Sequence, residues 1–192
     1  MKHLPLIILL LLLFGCKEFG EGHKPETDLI ENPISPKEKT NIPEGALKAN
    51  FIEHQDSFYA FVKNIDASNN TTLVSFENEQ LPEITIPESL GAQLSILKLK
   101  NFPNDVLLVN AMAIDTNFNE YYLYVWKDSE WKQPVNHFYI HKSNITDTLI
   151  PIKNNLKDSM QLDRYYSVFN MERVSEKKYS WSLVQESVPI EE

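Results

Sequence analysis

Histidines are few and widely spaced, whereas carboxylates are plentiful. His137 and His141 stand four apart around Phe138-Tyr139-Ile140. On a strand they share a face but lie about 13 Å apart, too far to hold one metal without a bend. On a helix the spacing suits zinc, but no H-E-x-x-H surrounds it. Asp66-x-Ser68-x-Asn70, with Glu77 twelfth, and Asp115-x-Asn117-x-Asn119 have the alternation of calcium loops. Their sixth positions, Thr71 and Glu120, lack the glycine that makes the sharp turn. Both are expected to be polar turns. Glu77, Glu79, Glu83 and Glu88 read as a solvated acidic face. No serine lies in a G-x-S-x-G elbow, and the five glycines form no phosphate-cradling motif. The sequence therefore assigns no catalytic residue, no metal and no cofactor. A spatial triad leaves an envelope hydrolase open as one alternative.

Aromatic side chains are the other chemical resource. Tyr121, Tyr122, Tyr124, Trp126, Trp131, Tyr139, Tyr165, Tyr166, Tyr179 and Trp181 crowd the second half. Most are expected to fill a core and pack across strands. Trp126 and Trp131 flank the turn Lys127-Asp128-Ser129-Glu130. They are the candidate ligand-binding aromatics, with Lys127 and Asp128 as polar rim.

Cys16 is the only cysteine, so no intramolecular disulfide can form. It follows Met1-Lys2-His3 and an apolar run from Leu4 to Phe14. That run is too short to cross a membrane, which takes roughly 20 apolar residues. It reads as a signal peptide over residues 1–15, outside the fold. The sequence Leu13-Phe14-Gly15-Cys16 resembles the lipobox of bacterial lipoproteins, with Phe14 where a small or β-branched residue is usual. The resemblance implies cleavage before Cys16 and lipidation of its thiol by diacylglycerol, with a further acyl chain such as palmitate on the new amino terminus. Several buried chains at roughly 0.8 kcal/mol per CH₂ hold a protein firmly to a membrane. The alternatives are an ordinary secretory peptide with a leftover thiol, or a short anchor left uncleaved. Lys17-Glu18 is similar to the export signal of Bacteroidetes envelope lipoproteins, which implies the cell outer membrane, with surface exposure open.

Residues 16–45 contain Pro25, Pro33, Pro36 and Pro43, frequent charges and no sustained period. Such a segment cannot offset the entropy of ordering. It is expected to be a flexible, lipidated tether spanning about 30 Å. The chain carries 18 basic and 27 acidic side chains, net −9. Loss of residues 1–15 takes only Lys2 and shifts this by one more negative charge. That balance excludes a general nucleic-acid binder, which needs basic surface.

Residues 46–192 are expected to form one β-rich domain. Phe58–Val62 and Thr72–Phe76 flank the turn-forming Asp66–Asn70 and predict a hairpin. Gln80–Ser89, with Pro82 and Pro87, predicts an edge strand at best. Gln93–Leu99 alternates. Asp105–Ile114 is apolar at both parities and fits a central strand better than a buried helix. Tyr121–Trp126 also carries large side chains at both parities. A strand is expected around Phe138 and Ile140, reaching Ile145. A long closing hairpin is expected from Leu162–Met171 and Tyr179–Val184. Ile152, Leu156 and Met160, four apart, predict one short helix over 152–161.

The fold class expected is mainly β: a single antiparallel β-sandwich or partly closed β-barrel with at most one or two short helices. The function expected is a membrane-anchored envelope lipoprotein, a non-catalytic binding or structural module. Its partners would be the membrane, through lipid on Cys16, and an envelope protein or glycan. The alternative is a carrier or sensor of a small apolar ligand held in a barrel cavity.

Overall fold

The structure is a computed structural model that describes residues 42–170 and 180–191. The expected signal peptide, Cys16, most of the expected tether, Met171 and Tyr179 lie outside the described residues. Those described belong to one compact unit, Thr40–Glu192.

Among the described residues the architecture is mainly β, with three antiparallel sheets and no closed barrel. Strands β1 (Leu47–Ala49), β2 (Phe58–Asp66), β3 (Thr71–Phe76) and β4 (Ile84–Ile86) form the first sheet in that order. The second is built from β5 (Ser89–Leu97), β6 (Val106–Ala113) and β7 (Phe118–Lys127). The free side of β7 is shared by β8 (Glu130–Lys132) at one end and β9 (Phe138–His141) at the other. The third sheet is β10 (Ile152–Asn154), β11 (Gln161–Asn170) and β12 (Ser180–Pro189).

Side-chain parity explains why three sheets form a stack. On β6, Leu107, Val109 and Ala111 point to one face and pack with Phe51, Val74 and Ile86 of the first sheet and its loops. Val106 and Leu108 point to the other and pack with Ile152, Leu162 and Val188 of the third. On β7, Tyr122 and Tyr124 join the first cluster while Tyr121, Leu123 and Val125 join the second. The second sheet is therefore a central layer, covered on both sides. A strand buried on both faces reads as a near-continuous apolar run, which Val106–Val109 and Tyr121–Trp126 supply.

Edges and corners follow from local chemistry. The Asp66 carboxylate accepts from the Ser68 and Asn69 amides at 2.9 and 3.1 Å and from Asn69 Nδ2 at 2.7 Å. These bonds hold its pKa below the usual carboxylate range. Asn70 completes the turn at φ 51°, a conformation asparagine tolerates. Between the first and central sheets, Thr72 Oγ1 and Ser89 Oγ, both buried, share a 2.8 Å hydrogen bond. Gly91 follows in a β-bulge between Ser89 and Ala92, at φ 138°. The φ is what favours glycine; a Cβ there would meet the flexible tip of the exposed Met112 side chain, which can move aside.

Two sequence expectations fail. Residues 152–161 are not helical: Ile152–Asn154 is a strand paired to β11, and Leu156 and Met160 are 90% and 64% exposed. The four-residue spacing describes no buried face. Pairing with β11 and burial of Ile152 outweigh a weak local preference. Ile145 lies past the end of β9, beyond the 3₁₀ turn Lys142–Asn144 that ends the strand.

Candidate functional site

One end of the stack opens into a cleft of about 500 Å³. Segments from all three layers line it. Ile52 and Glu53 follow β1, Asn101–Asp105 join β5 to β6, and Val125–Asp128 end β7. Lys132 comes from β8, Met160 precedes β11, and Ile190 and Glu191 follow β12. The walls are apolar, from Ile52, Phe102, Pro103, Val125, Trp126 and Ile190. The rim is charged, from Glu53, Asp105, Asp128 and Glu191 against Lys127 and Lys132. This size and composition match those of ordinary ligand sites.

Backbone ties fix the mouth. The Asp105 amide donates to Asn50 O at 2.8 Å, and Asp105 Oδ2 accepts from the Asn50 amide at 2.9 Å. Lys98 Nζ contacts Asp105 Oδ1 at 2.8 Å. The Ile190 amide donates to Met160 O at 3.0 Å, and the Glu191 amide to Pro134 O at 2.8 Å. The opposite lip is the β7–β8 turn. Asp128 and Ser129 both have positive φ, 54° and 64°. That is the geometry of a type I′ hairpin turn, in which asparagine and glycine are favoured. Lys132 Nζ lies 3.2 Å from Glu130 and 3.4 Å from Asp128. Hydrogen bonding to Glu130 first, and to Asp128 second, raises its pKa and keeps it cationic.

The two candidate tryptophans occupy different settings. They face each other across β7 and β8, with rings 5.3 Å apart at 68°. Trp131 stacks on Phe76 at 4.8 Å, meets Phe51 edge-on at 5.4 Å, and donates from Nε1 to Pro82 O at 3.0 Å. It belongs to the packing between the first and central sheets. Trp126 leans on it, half-buried, and lines the cleft with Lys127 and Asp128. The remaining lining was hidden in the sequence. Phe102-Pro103 inside the polar turn Asn101–Asn104 was the one available signal, an apolar pair with no strand to belong to.

A second, more open groove of about 630 Å³ crosses the outer face of the first sheet, past Tyr59, Phe61, Lys63, Glu77 and Glu83. Its charges are largely satisfied internally. Glu83 binds Lys63 at 2.8 Å and Ser75 at 3.0 Å, which lowers its pKa. Glu77 accepts from the Tyr59 amide at 3.1 Å.

The histidines do not converge. His141 caps the 3₁₀ turn through Ser143 and stacks on Trp181 at 5.3 Å. His137 lies beside Glu120. Asp66 and Asp115 spend their carboxylates inside their own turns. Among the described residues no three His, Cys, Asp or Glu side chains gather as metal ligands, and no helix is long and apolar enough to cross a membrane.

The fold and its end cleft define a class: a three-sheet, all-β domain with a site assembled from loop ends. Compared with known proteins, the chain matches no family model, no curated protein and no solved structure.

Proposed function

We propose that this protein is an envelope lipoprotein, tethered through Cys16, whose domain is a non-catalytic binding module using the end cleft as its site. The observation that carries the reading is the cleft: an apolar floor around Trp126, closed by charged groups from loops of three sheets. Apolar walls supply affinity and the rim supplies orientation. The partner it suits presents an apolar or aromatic side chain or group flanked by polar atoms. An envelope protein segment fits this description, and a sugar ring on Trp126 is the second form of it. A barrel cavity is not part of the proposal, because the sheets do not close.

The test is crosslinking capture from intact cells with the native lipidated protein, against Cys16→Ala and Trp126→Ala. The expected result is one envelope component recovered near stoichiometry by the native protein and lost with Trp126→Ala. Capture that is indifferent to Trp126, or no enrichment where a known envelope complex is retained, rejects the cleft as the binding site.

A further inference from the structure

The outer face of the third sheet carries a polar groove of about 500 Å³ that shares no residue with the end cleft. Strand register builds its floor. Lys153 on β10 lies opposite Asp163 on β11, Asp163 lies opposite Ser187 on β12, and Tyr165 lies opposite Gln185. These positions alternate with Leu162 and Val188, which point into the core. The turn after β10 adds Asn155, Leu156 and Lys157. Asn155 Oδ1 fixes that turn by accepting from the Lys157 and Asp158 amides at 2.7 and 2.9 Å.

The carboxylate at the floor is already satisfied. Asp163 is 9% exposed. Its Oδ1 accepts from Ser187 Oγ at 2.8 Å and Asn155 Nδ2 at 2.9 Å, and its Oδ2 accepts from Gln185 Nε2 at 3.0 Å. Gln185 Oε1 accepts from the Tyr165 hydroxyl at 2.8 Å. That hydroxyl accepts from Lys153 Nζ at 2.9 Å, which places the ammonium over the Tyr165 ring. The groove has donors left over. An ammonium carries three N–H groups and an amide two. Lys153 spends one on Tyr165, and Gln185 Nε2 spends one on Asp163. Asn154 spends its Oδ1 on the Lys100 amide at 2.8 Å, which leaves its Nδ2 for a ligand. Among the described residues neither Lys153 nor Lys157 pairs with a carboxylate. The two lysines outweigh Asp163, in a chain whose acidic side chains outnumber its basic ones 27 to 18.

We propose that this groove binds an acidic sugar, a hydroxyl-bearing ring that carries a carboxylate. The carboxylate takes charge-assisted hydrogen bonds from Lys153 and Lys157. The ring hydroxyls accept from Asn154 Nδ2 and the second Gln185 N–H, and donate to the remaining lone pair of Asp163 Oδ2. The hydrogen-bonded network holds the floor in place before the ligand arrives, so little side-chain freedom is lost on binding. Leu156, 90% exposed at the edge, offers an apolar surface to the C–H face of the ring. A small inorganic anion would use the lysines and leave most of the groove unfilled. A neutral sugar would leave the lysines without a counter-charge.

NMR of the Asn155 and Gln185 side-chain amide signals tests this, on the chain from residue 16 onward with Cys16→Ala, during titration with sodium glucuronate. Glucose supplies hydroxyls alone, sodium acetate supplies a carboxylate alone, and sodium chloride controls for ionic strength. The expected result is saturation by glucuronate with a Kd on the order of 1 mM, and binding about fivefold weaker or less for glucose and for acetate. Lys157→Ala, at an exposed position, is expected to weaken glucuronate about fivefold and to leave glucose unchanged. Lys153→Met keeps the apolar stem and is expected to do the same. If Lys153→Met does not fold, Lys157→Ala and the ligand comparison decide. Glucose binding as tightly as glucuronate removes the lysines from the site, and acetate binding as tightly makes it a simple anion site. Either result overturns the proposal, as does no saturation by glucuronate or an unchanged glucuronate affinity in folded Lys157→Ala.

Discussion

Leu107 and Leu108 are neighbours on β6 that point to opposite faces, and truncating each in turn tests whether the central sheet is covered twice. Both are buried, at 0% and 4% exposure. Leu107 packs toward the first sheet and Leu108 toward the third. Leu→Ala in a core costs 2–5 kcal/mol, through lost transfer energy and the cavity left behind. A value of about 3 kcal/mol is expected for each, because neighbouring strands on both sides limit collapse into the void. For a domain of this size, 1 kcal/mol moves Tm by roughly 3 °C, so each variant should melt about 10 °C lower. Met112 is the control. It lies on the Leu108 side of β6 but is 52% exposed, and Met112→Ala should cost under about 0.5 kcal/mol. The assay is urea unfolding followed by tryptophan fluorescence on the chain lacking residues 1–15, with Cys16→Ala. A loss below about 1 kcal/mol for Leu108→Ala, beside a full loss for Leu107→Ala, would mean that the second face is solvent and the three-layer account is wrong.

Other perturbations probe the site and its supports. Ser129→Gly relieves a positive φ and should stabilise the domain by about 0.5–1 kcal/mol, the strain relieved exceeding the unfolded-chain entropy gained; calorimetry showing destabilisation refutes the strain argument. Trp131→Phe removes the donor to Pro82 O and part of the stack on Phe76, and should cost about 1–2 kcal/mol in urea. Trp126→Ala, by contrast, should change partner capture more than stability. At alkaline pH, burial holds Tyr124 and Tyr139 up to about 12, above the ordinary 10. The folded state then keeps protons that the unfolded state loses, so this stability is full below pH 10 and lost as pH rises toward 12. Absorbance at 295 nm should show these phenols ionising late, and normal titration of Tyr124 with the fold intact would contradict its burial. At acid pH, Asp66 and Glu83 are held below their ordinary 3.8 and 4.5. Their contribution is present above those values and fades as pH falls through the lowered ones. Asp66→Asn with Glu83→Gln should flatten the acid limb of a Tm-against-pH curve.

The sequence by itself determined the local elements. Period-two alternation and β-branched or aromatic composition marked most strands. Asp66–Asn70 and Lys127–Glu130 marked hairpin turns, because their side chains and backbone conformations are set within four or five residues. Proline at 82 and 87 placed β4 at an edge, and Asp105–Ile114 announced a central strand. The resemblance of Leu13-Phe14-Gly15-Cys16 to a lipobox likewise needs no folded context to be read. What only the tertiary structure decided is non-local. Apolar side chains at both parities of β6 and β7 say that two faces are buried, but not by what; that took the separate first and third sheets. The spacing of Ile152, Leu156 and Met160 misled because a ten-residue segment has too little local preference to resist pairing with β11. The separation of Trp126 from Trp131 depends on Phe76 and Phe51, far away in sequence. The cleft is built from loop ends that strand register brings together, and register is fixed by the balance of packing across the whole stack.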